Sequence, residues 1–329
     1  MNAGLLKNVK NILVIRLDRV GDLILSTPFF YNLRKMYSEA NISAVVRPYT
    51  KDVLTNNPNI DEILIFNNEG KLKEKVGFIK KLRKTRWDLA ISLSPVTSSY
   101  IMTFLSGAVT RVSYVYSDRI IPLFLTSLIL NVRPVLNVQS ELKKGNGVTH
   151  EVRQTFSVLK ALGGSPEEVP LKLFGYEDIQ EANPRLIGIH LSPKWFTENW
   201  NYGDFDSMAE KILESCPCHN LLVTYGKQEE YLVDKISCIR NNRVVIKGGS
   251  SFCNWANDIA ATDLFISTDT GALHCAVALG KKVVAVYEDF TFEHCSTQWA
   301  PWMVKNEVVR KKKSNKTIDE IVEKTMKLL

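Results

Sequence analysis

Along this chain, short β-branched apolar runs alternate with longer stretches whose apolar positions recur every three to four residues, the respective signatures of strand and helix. NILVIRL at residues 11–17 predicts a strand, and residues 23–36 predict a helix. Further strands are expected at 42–47 (ISAVVR), 61–66 (DEILIF) and 88–93 (DLAISL), with helices over about 71–85 and 97–105. The rhythm weakens from 109 to 147, where 139–147 (QSELKKGNG) reads as a polar surface loop, and a helix is expected over about 150–162. After GGSPEEVP at 163–170 the alternation restarts. Strands are expected at 185–190, 220–225, 244–246, 264–267 and 282–286, and helices over about 205–214, 228–239, 252–261, 271–279 and 318–328. Repeated strand–helix order predicts parallel sheets covered on both faces. The chain therefore reads as two doubly wound α/β domains, residues 1–168 and 169–329, joined by a linker between 163 and 184 and facing each other across a cleft. In such sheets ligands sit at the carboxyl ends of the strands.

Composition narrows the function. A length of 329 residues suits two domains, and 45% hydrophobic with 23% charged residues excludes a disordered chain. The net charge of +7 suits phosphorylated ligands or an anionic membrane surface. It is not the dense basic stripe of a nucleic-acid binder, so no nucleic-acid partner is expected. Two basic clusters, 71–86 (KLKEKVGFIKKLRKTR) and 310–316 (RKKKSNK), read as solvated surface, with docking to a phosphate-bearing glycolipid or an anionic leaflet as the functional alternative. The N-terminal apolar run is short and strand-like, not a secretion signal. The longest apolar stretch, IIPLFLTSLIL at 120–130, falls short of the ~18 residues a membrane span needs. It predicts a buried or half-buried helix, with an interfacial patch as the alternative. A cytoplasmic protein is expected. Cys216, Cys218, Cys238, Cys253, Cys275 and Cys295 all lie in the second half and are expected to be free thiols. Cys216-Pro-Cys218-His219 offers metal-ligand types but no second pair at zinc-finger spacing, so no metal is expected there.

Two stretches carry candidate chemistry. ISTDTGALH at 266–274 ends an apolar run with Asp-Thr-Gly. That tripeptide also marks aspartic proteases, but those are β-sheet proteins with two such loops, whereas here one copy sits between a strand and a helix. In this context Asp269 or Thr270 can cap the helix, Gly271 lets the backbone approach a ligand, and the free N–H groups suit a diphosphate, with His274 in the first turn as a further donor. A capped helix without a ligand is the plain alternative. RLDRVGDLILSTP at 16–28 likewise follows a strand and opens a helix. Gly21 permits a tight turn there. Asp22 is either a cap or a base, and the helix dipole is expected to lower its proton affinity. Asp204-Phe-Asp206 mimics a metal-binding Asp-x-Asp, but it opens a helix and reads as capping.

In order, NILVIRLDRV and GDLILSTP, NPNIDEILI (57–65), HEV (150–152) and STDTGALHCAVALGKKVVAVY (267–287) resemble glycosyltransferase family 9, the bacterial lipopolysaccharide heptosyltransferases and their relatives. The likeness spans nearly the whole chain. It implies a GT-B fold of two Rossmann-like domains, the first binding the acceptor and the second a nucleotide sugar. It implies inverting, metal-independent transfer without a cofactor, typically of heptose from ADP-heptose to a lipopolysaccharide core or another cell-envelope glycan. It further implies peripheral contact with the inner membrane. The family's catalytic aspartate falls on Asp22, its acceptor-side loop on Arg19 and Gly21, and its donor-phosphate loop on Asp269, Thr270, Gly271 and His274. A second donor loop runs from Ser192 to Trp200. There the usual lysine is replaced by Glu198, and Lys194 stands four residues earlier as the substitute cation. Gly226 matches a loop near the nucleotide, and Glu230 falls near the ribose or base. A GT-B enzyme using another nucleotide sugar, and a nucleotide-sugar-binding protein without turnover, are the alternatives.

Overall fold

The computed structural model describes residues 6, 8–116, 120–136, 148–176, 185–312 and 314–329. The chain divides into two compact units, Met1–Val169 and Pro170–Leu329.

The first unit runs β1 (Asn11–Ile15), α1 (Val20–Ile24), α2 (Thr27–Met36), β2 (Asn41–Val46), β3 (Glu62–Ile65), α3 (Leu72–Leu82), β4 (Leu89–Ser92), α4 (Thr97–Leu105), β5 (Thr110–Ser113), β6 (Val115–Tyr116), α5 (Ile120–Ile129), β7 (Val135–Leu136) and α6 (Glu151–Ala161). Five strands form one parallel sheet in the order β3-β2-β1-β4-β5, and β6 pairs with β7 alone. The order reverses between β1 and β4. Their register pairs Ile15 with Ser92, so residues 16–18 and 93–94 leave the sheet side by side. Leu13, Ile15, Val45 and Ala90 are fully buried, the near-continuous apolar pattern of strands covered on both faces.

The second unit runs β8 (Arg185–His190), α7 (Tyr202–Ser215), β9 (His219–Tyr225), β10 (Val244–Gly248), α8 (Phe252–Ala260), β11 (Leu264–Thr268), α9 (Gly271–Ala278), β12 (Lys282–Glu288), α10 (Phe292–Gln298), β13 (Asn306–Lys311) and α11 (Ser314–Leu328). Its parallel sheet is ordered β10-β9-β8-β11-β12-β13, with the reversal between β8 and β11. Packing is tight there: a Cβ on Gly188 would lie 2.3 Å from a ring carbon of Phe265, so β8 needs glycine. Trp195, Trp200 and Phe205 anchor the core beneath α7 and α11.

Several expectations are corrected. The helix expected over 23–36 is two helices, because Pro28 has no N–H for the Ile24 carbonyl. The Thr27 hydroxyl donates to that carbonyl instead, at 2.8 Å. Gly21 lies inside α1, not in a turn. The helix expected over 228–239 is a pair of 3-10 segments, Lys227–Lys235 and Cys238–Arg240, interrupted where the Asp206 carboxylate takes the N–H groups of Ser237 and Cys238 at 2.8–3.0 Å. Strands β5 and β13 were not expected, since TRVS and NEVVRK are too polar to read as strands. The loop at 139–147 lies outside the described residues, as does the 177–184 part of the linker. All six cysteines are free.

Candidate active site

At the switch point of the first sheet a buried guanidinium gathers carboxylates from separate segments. Arg16 follows β1 and is 2% exposed. Its Nη2 lies 2.9 Å from Glu151 Oε1 and 3.7 Å from Asp22 Oδ1, and its Nη1 lies 3.3 Å from Asp18 Oδ2. It also donates to the carbonyl of Leu93. Burial opposes its charge, but Asp18, Tyr114, Glu151 and Asp22 together hold it protonated. Glu151 is delivered by the first turn of α6, where His150 Nδ1 caps the Val152 N–H at 3.2 Å. Ser94, after β4, donates to Asp18 at 2.6 Å and accepts the Leu17 N–H at 3.0 Å, tying the two switch strands together.

Asp22 occupies the third position of α1, and the cap position belongs to Arg19. One carboxylate oxygen accepts the Arg19 N–H at 3.2 Å. The side chain remains 29% exposed. The expectation of lowered proton affinity is overturned. Burial is the largest influence and raises the pKa to about 6, with Glu151 and Asp18 adding to it. Arg16 and the Arg19 N–H pull the other way without winning. Arg19 itself is exposed, and Gly21 is buried.

In the second unit the switch strands are joined by Ser192 Oγ and Thr268 Oγ1, 2.8 Å apart. The Lys194 ammonium lies 2.9 Å from Asp269 Oδ2, which puts a cation beside the N-terminus of α9. Thr270 is the cap residue, but its side chain makes no capping bond; it lies 3.2 Å from Ser267 Oγ, and Asp269 is engaged by Lys194. The N-cap side chain thus makes no bond to the first turn of α9, where the Leu273 N–H donates to the Thr270 carbonyl at 3.2 Å. Gly271 is half-buried, whereas His274 is 4% exposed.

Glu198 is held by backbone donors from another segment. Its carboxylate accepts the N–H groups of Asp289 and Phe290 at 3.0 and 3.1 Å. Glu198 and Asn199 both have left-handed backbone, φ 56 and 68, held in place by those bonds. Lys311, fully buried at the end of β13, donates to the carbonyls of Lys194 and Trp195 at 2.6 and 3.3 Å and lies 2.7 Å from Thr197 Oγ1. Burial lowers its pKa to about 8, while Glu198 and Glu288 work against that shift. Its neighbour Arg310 pairs with Asp289 and Glu293. The 310–316 cluster is thus partly internal scaffolding, not wholly solvated surface; residue 313 lies outside the described residues.

Gly226 precedes the 3-10 segment with φ −84, so no special backbone requires glycine, and Glu230 is exposed within that segment. Near the carboxyl ends of β9 and β10 an open depression of about 490 Å³ is lined by Tyr225, Lys247, Gly248, Ser250 and Asn254. A larger one of about 580 Å³, lined by Leu171, Leu173, Val277, Gly280 and Met303, lies by the C-terminus of α9, the end opposite the Asp269–Gly271 loop. Asp204 reaches back to the Asn201 N–H at 2.8 Å, as its capping reading requires. Among the described residues, no three His, Cys, Asp or Glu side chains gather as a metal site. Arg16, Glu151, Tyr114, Thr268 and Lys311 belong to these two candidate clusters and were missed by sequence reasoning. HEV at 150–152 was a usable signal for Glu151, and the arginine in NILVIRLDRV for Arg16.

The profile of glycosyltransferase family 9 (heptosyltransferase) matches residues 76–328. Lipopolysaccharide heptosyltransferase 3 of Escherichia coli K12 is 23% identical over 303 residues, covering 86% of this chain and 82% of that protein. A family 9 glycosyl transferase from Veillonella parvula superposes with a TM-score of 0.79 at 17% identity, covering 100% of this chain and 98% of that one. An E. coli heptosyltransferase solved with ADP gives 0.76 at 14% identity, covering 97% and 100%.

Proposed function

The chain belongs to glycosyltransferase family 9, the heptosyltransferases, and from that premise we propose that it moves a heptose from ADP-heptose to a lipopolysaccharide core or related cell-envelope glycan, inverting the anomeric centre without a metal ion. The observation that carries this reading is Asp22: a partly exposed carboxylate at the first switch point, with a pKa of about 6. At neutral pH it is ionised, and it is a stronger base than an ordinary surface carboxylate. It takes the proton of the acceptor hydroxyl as that oxygen attacks the anomeric carbon. The bond from that carbon to the diphosphate oxygen breaks, and its electron pair leaves with the nucleoside diphosphate. The N-terminal end of α9 and the Lys194 ammonium stabilise the departing charge. Ser192, Asp269, Thr270, Gly271 and His274 shape that anion site. Glu198 holds its loop, and Gly226 and Glu230 lie on the nucleoside side. The acceptor is lipid-borne, so the enzyme works peripherally at the cytoplasmic face of the inner membrane.

Thermal shift against ADP, UDP, GDP and CMP sugars tests the donor, since a ligand that binds the native state raises Tm by mass action. ADP-heptose is expected to give the largest rise, and a preference for another base overturns the donor assignment. Asp22→Ala is expected to keep that rise while transfer falls about 10²–10⁴-fold. If the wild type binds donors but transfers from none of them, the protein is a binding module.

A further inference from the structure

The outer surface of the first unit's α3–α4–α5 layer is sorted into an apolar and a basic part. On α4, Ile101, Phe104 and Leu105 are 43%, 48% and 37% exposed, and their i, i+3, i+4 spacing puts them on one face. On α5, Phe124 and Leu128 are 70% and 67% exposed, and Val109 beyond α4 is 61% exposed. The two helices share a small core of Tyr100, Val115, Leu125, Ile129 and Leu130, so these exposed side chains stand on helices packed side by side. A soluble protein rarely leaves so many large apolar side chains together without a partner.

Charge says what the partner is. Helix α3 shares a core with α4 through Leu82, Phe78, Ile79 and Met102. Residues 71–86 hold eight Lys and Arg against one acid, Glu74. Lys80, Lys81, Arg83, Lys84 and Arg86 are exposed. The basic and apolar parts adjoin: Arg83 Nε lies 3.6 Å from where a Cβ on Gly107 would stand, just past α4, and the Arg111 guanidinium sits 5.6 Å from the Phe104 ring centre. Ile120–Ile129 contains no charged residue, and at ten residues it is too short to span a bilayer but long enough to lie in its interface.

We propose that the α4–α5 face, flanked by the cations of α3, docks onto the surface of an anionic lipid bilayer. The apolar side chains enter the headgroup–acyl boundary and the lysines and arginines meet the lipid phosphates. This rests on the reading that the acceptor is lipid-borne, and it names the surface that brings the enzyme to it.

The test is flotation of the full-length protein with vesicles of phosphatidylcholine alone or with 30% phosphatidylglycerol. The wild type is expected to float with the anionic vesicles and much less with the neutral ones. Lys80→Glu/Lys81→Glu/Lys84→Glu is expected to lower binding to anionic vesicles about tenfold or more. Phe104→Glu/Phe124→Glu/Leu128→Glu is expected to abolish binding at any ionic strength, with the corresponding triple alanine variant intermediate. Unchanged melting and circular dichroism separate a lost surface from a lost fold, and the alanine variant decides if the glutamate variant misfolds. Both apolar variants are expected to keep wild-type transfer to a delipidated acceptor. Absence of that transfer in the wild type, with vesicle binding intact, sinks the enzymatic reading and leaves the docking surface standing. Wild type that ignores anionic vesicles, apolar variants that float like wild type, or a wild-type dimer that the apolar variants dissociate into monomers, overturns the proposal.

Discussion

Asp22 is subject to opposing influences, and their balance sets the pH behaviour of the site. Arg16 and the Arg19 N–H favour the anion, while burial and the nearby carboxylates of Glu151 and Asp18 disfavour it and prevail, giving a pKa of about 6 against a usual 3.8. The acid limb of the transfer rate should therefore fall near pH 6, as a kcat/KM profile from pH 5 to 8 will show. The same shift acts on stability. A pKa raised on folding stabilises fully below 3.8, and that contribution disappears as pH rises through 6, so the ionised group burdens the fold at pH 7.5. Asp22→Asn is expected to match or exceed the wild-type Tm at pH 7.5, by up to about 2 kcal/mol in stability, with the gain vanishing below pH 4, measured by calorimetry. The position of Asp22 was legible, because a Gly-Asp pair after a first strand opens a helix. Its proton affinity was not. Burial, its largest cause, and the charges from residues 16–18 and 151 arise only when the sheet and α6 fold together.

At the scale of an element, the loop from Ser192 to Trp200 is held from a strand more than a hundred residues later. Lys311 pins two of its carbonyls and Thr197, Glu198 clasps the amides of Asp289 and Phe290, and Thr197 Oγ1 donates to Glu288 at 2.7 Å. Lys311→Met removes the donor and leaves buried carbonyls without it. The expected loss is about 1–3 kcal/mol of stability, with faster amide exchange over 192–200 and a raised KM for the donor at a less altered kcat. The pH signature is specific. With the pKa lowered from 10.5 to about 8, the unfolded chain binds more protons across that interval, so wild-type stability rises with pH there. The gap between wild type and Lys311→Met should widen from pH 8 to 10.5 in chemical denaturation. None of this was legible in RKKKSNK, because a run of cations carries no mark of which one a sheet edge will bury. NEVVRK hid the strand itself, with its two adjacent valines flanked by polar residues.

The whole molecule repeats one device. In each unit the strand order reverses between the first strand and the fourth, and a serine hydroxyl bridges the carboxyl ends of those two strands: Ser94 to Leu17 and Asp18 in the first unit, Ser192 to Thr268, the last residue of β11, in the second. The two-sheet plan was legible because the strand–helix alternation stops near Gly163 and restarts at Arg185, and parallel strands covered by helices leave a nearly continuous apolar signal. Each sheet has its own buried core, and the last helix, α11, packs on α7 of its own unit, so the second unit's core does not draw on residues before Pro170. A fragment of residues 170–329 is therefore expected to unfold cooperatively. The groups assigned to the departing diphosphate, Lys194 and the first turn of α9, all lie within it. It should accordingly keep the ADP-dependent rise in Tm, a stabilisation of about 2.7 kcal/mol at a hundredfold excess over Kd, while catalysing no transfer for want of Asp22. Calorimetry of the fragment with and without ADP measures both properties. A fragment that folds but ignores ADP would mean that the first unit supplies part of the donor site, and the division of labour between the two sheets would have to be redrawn.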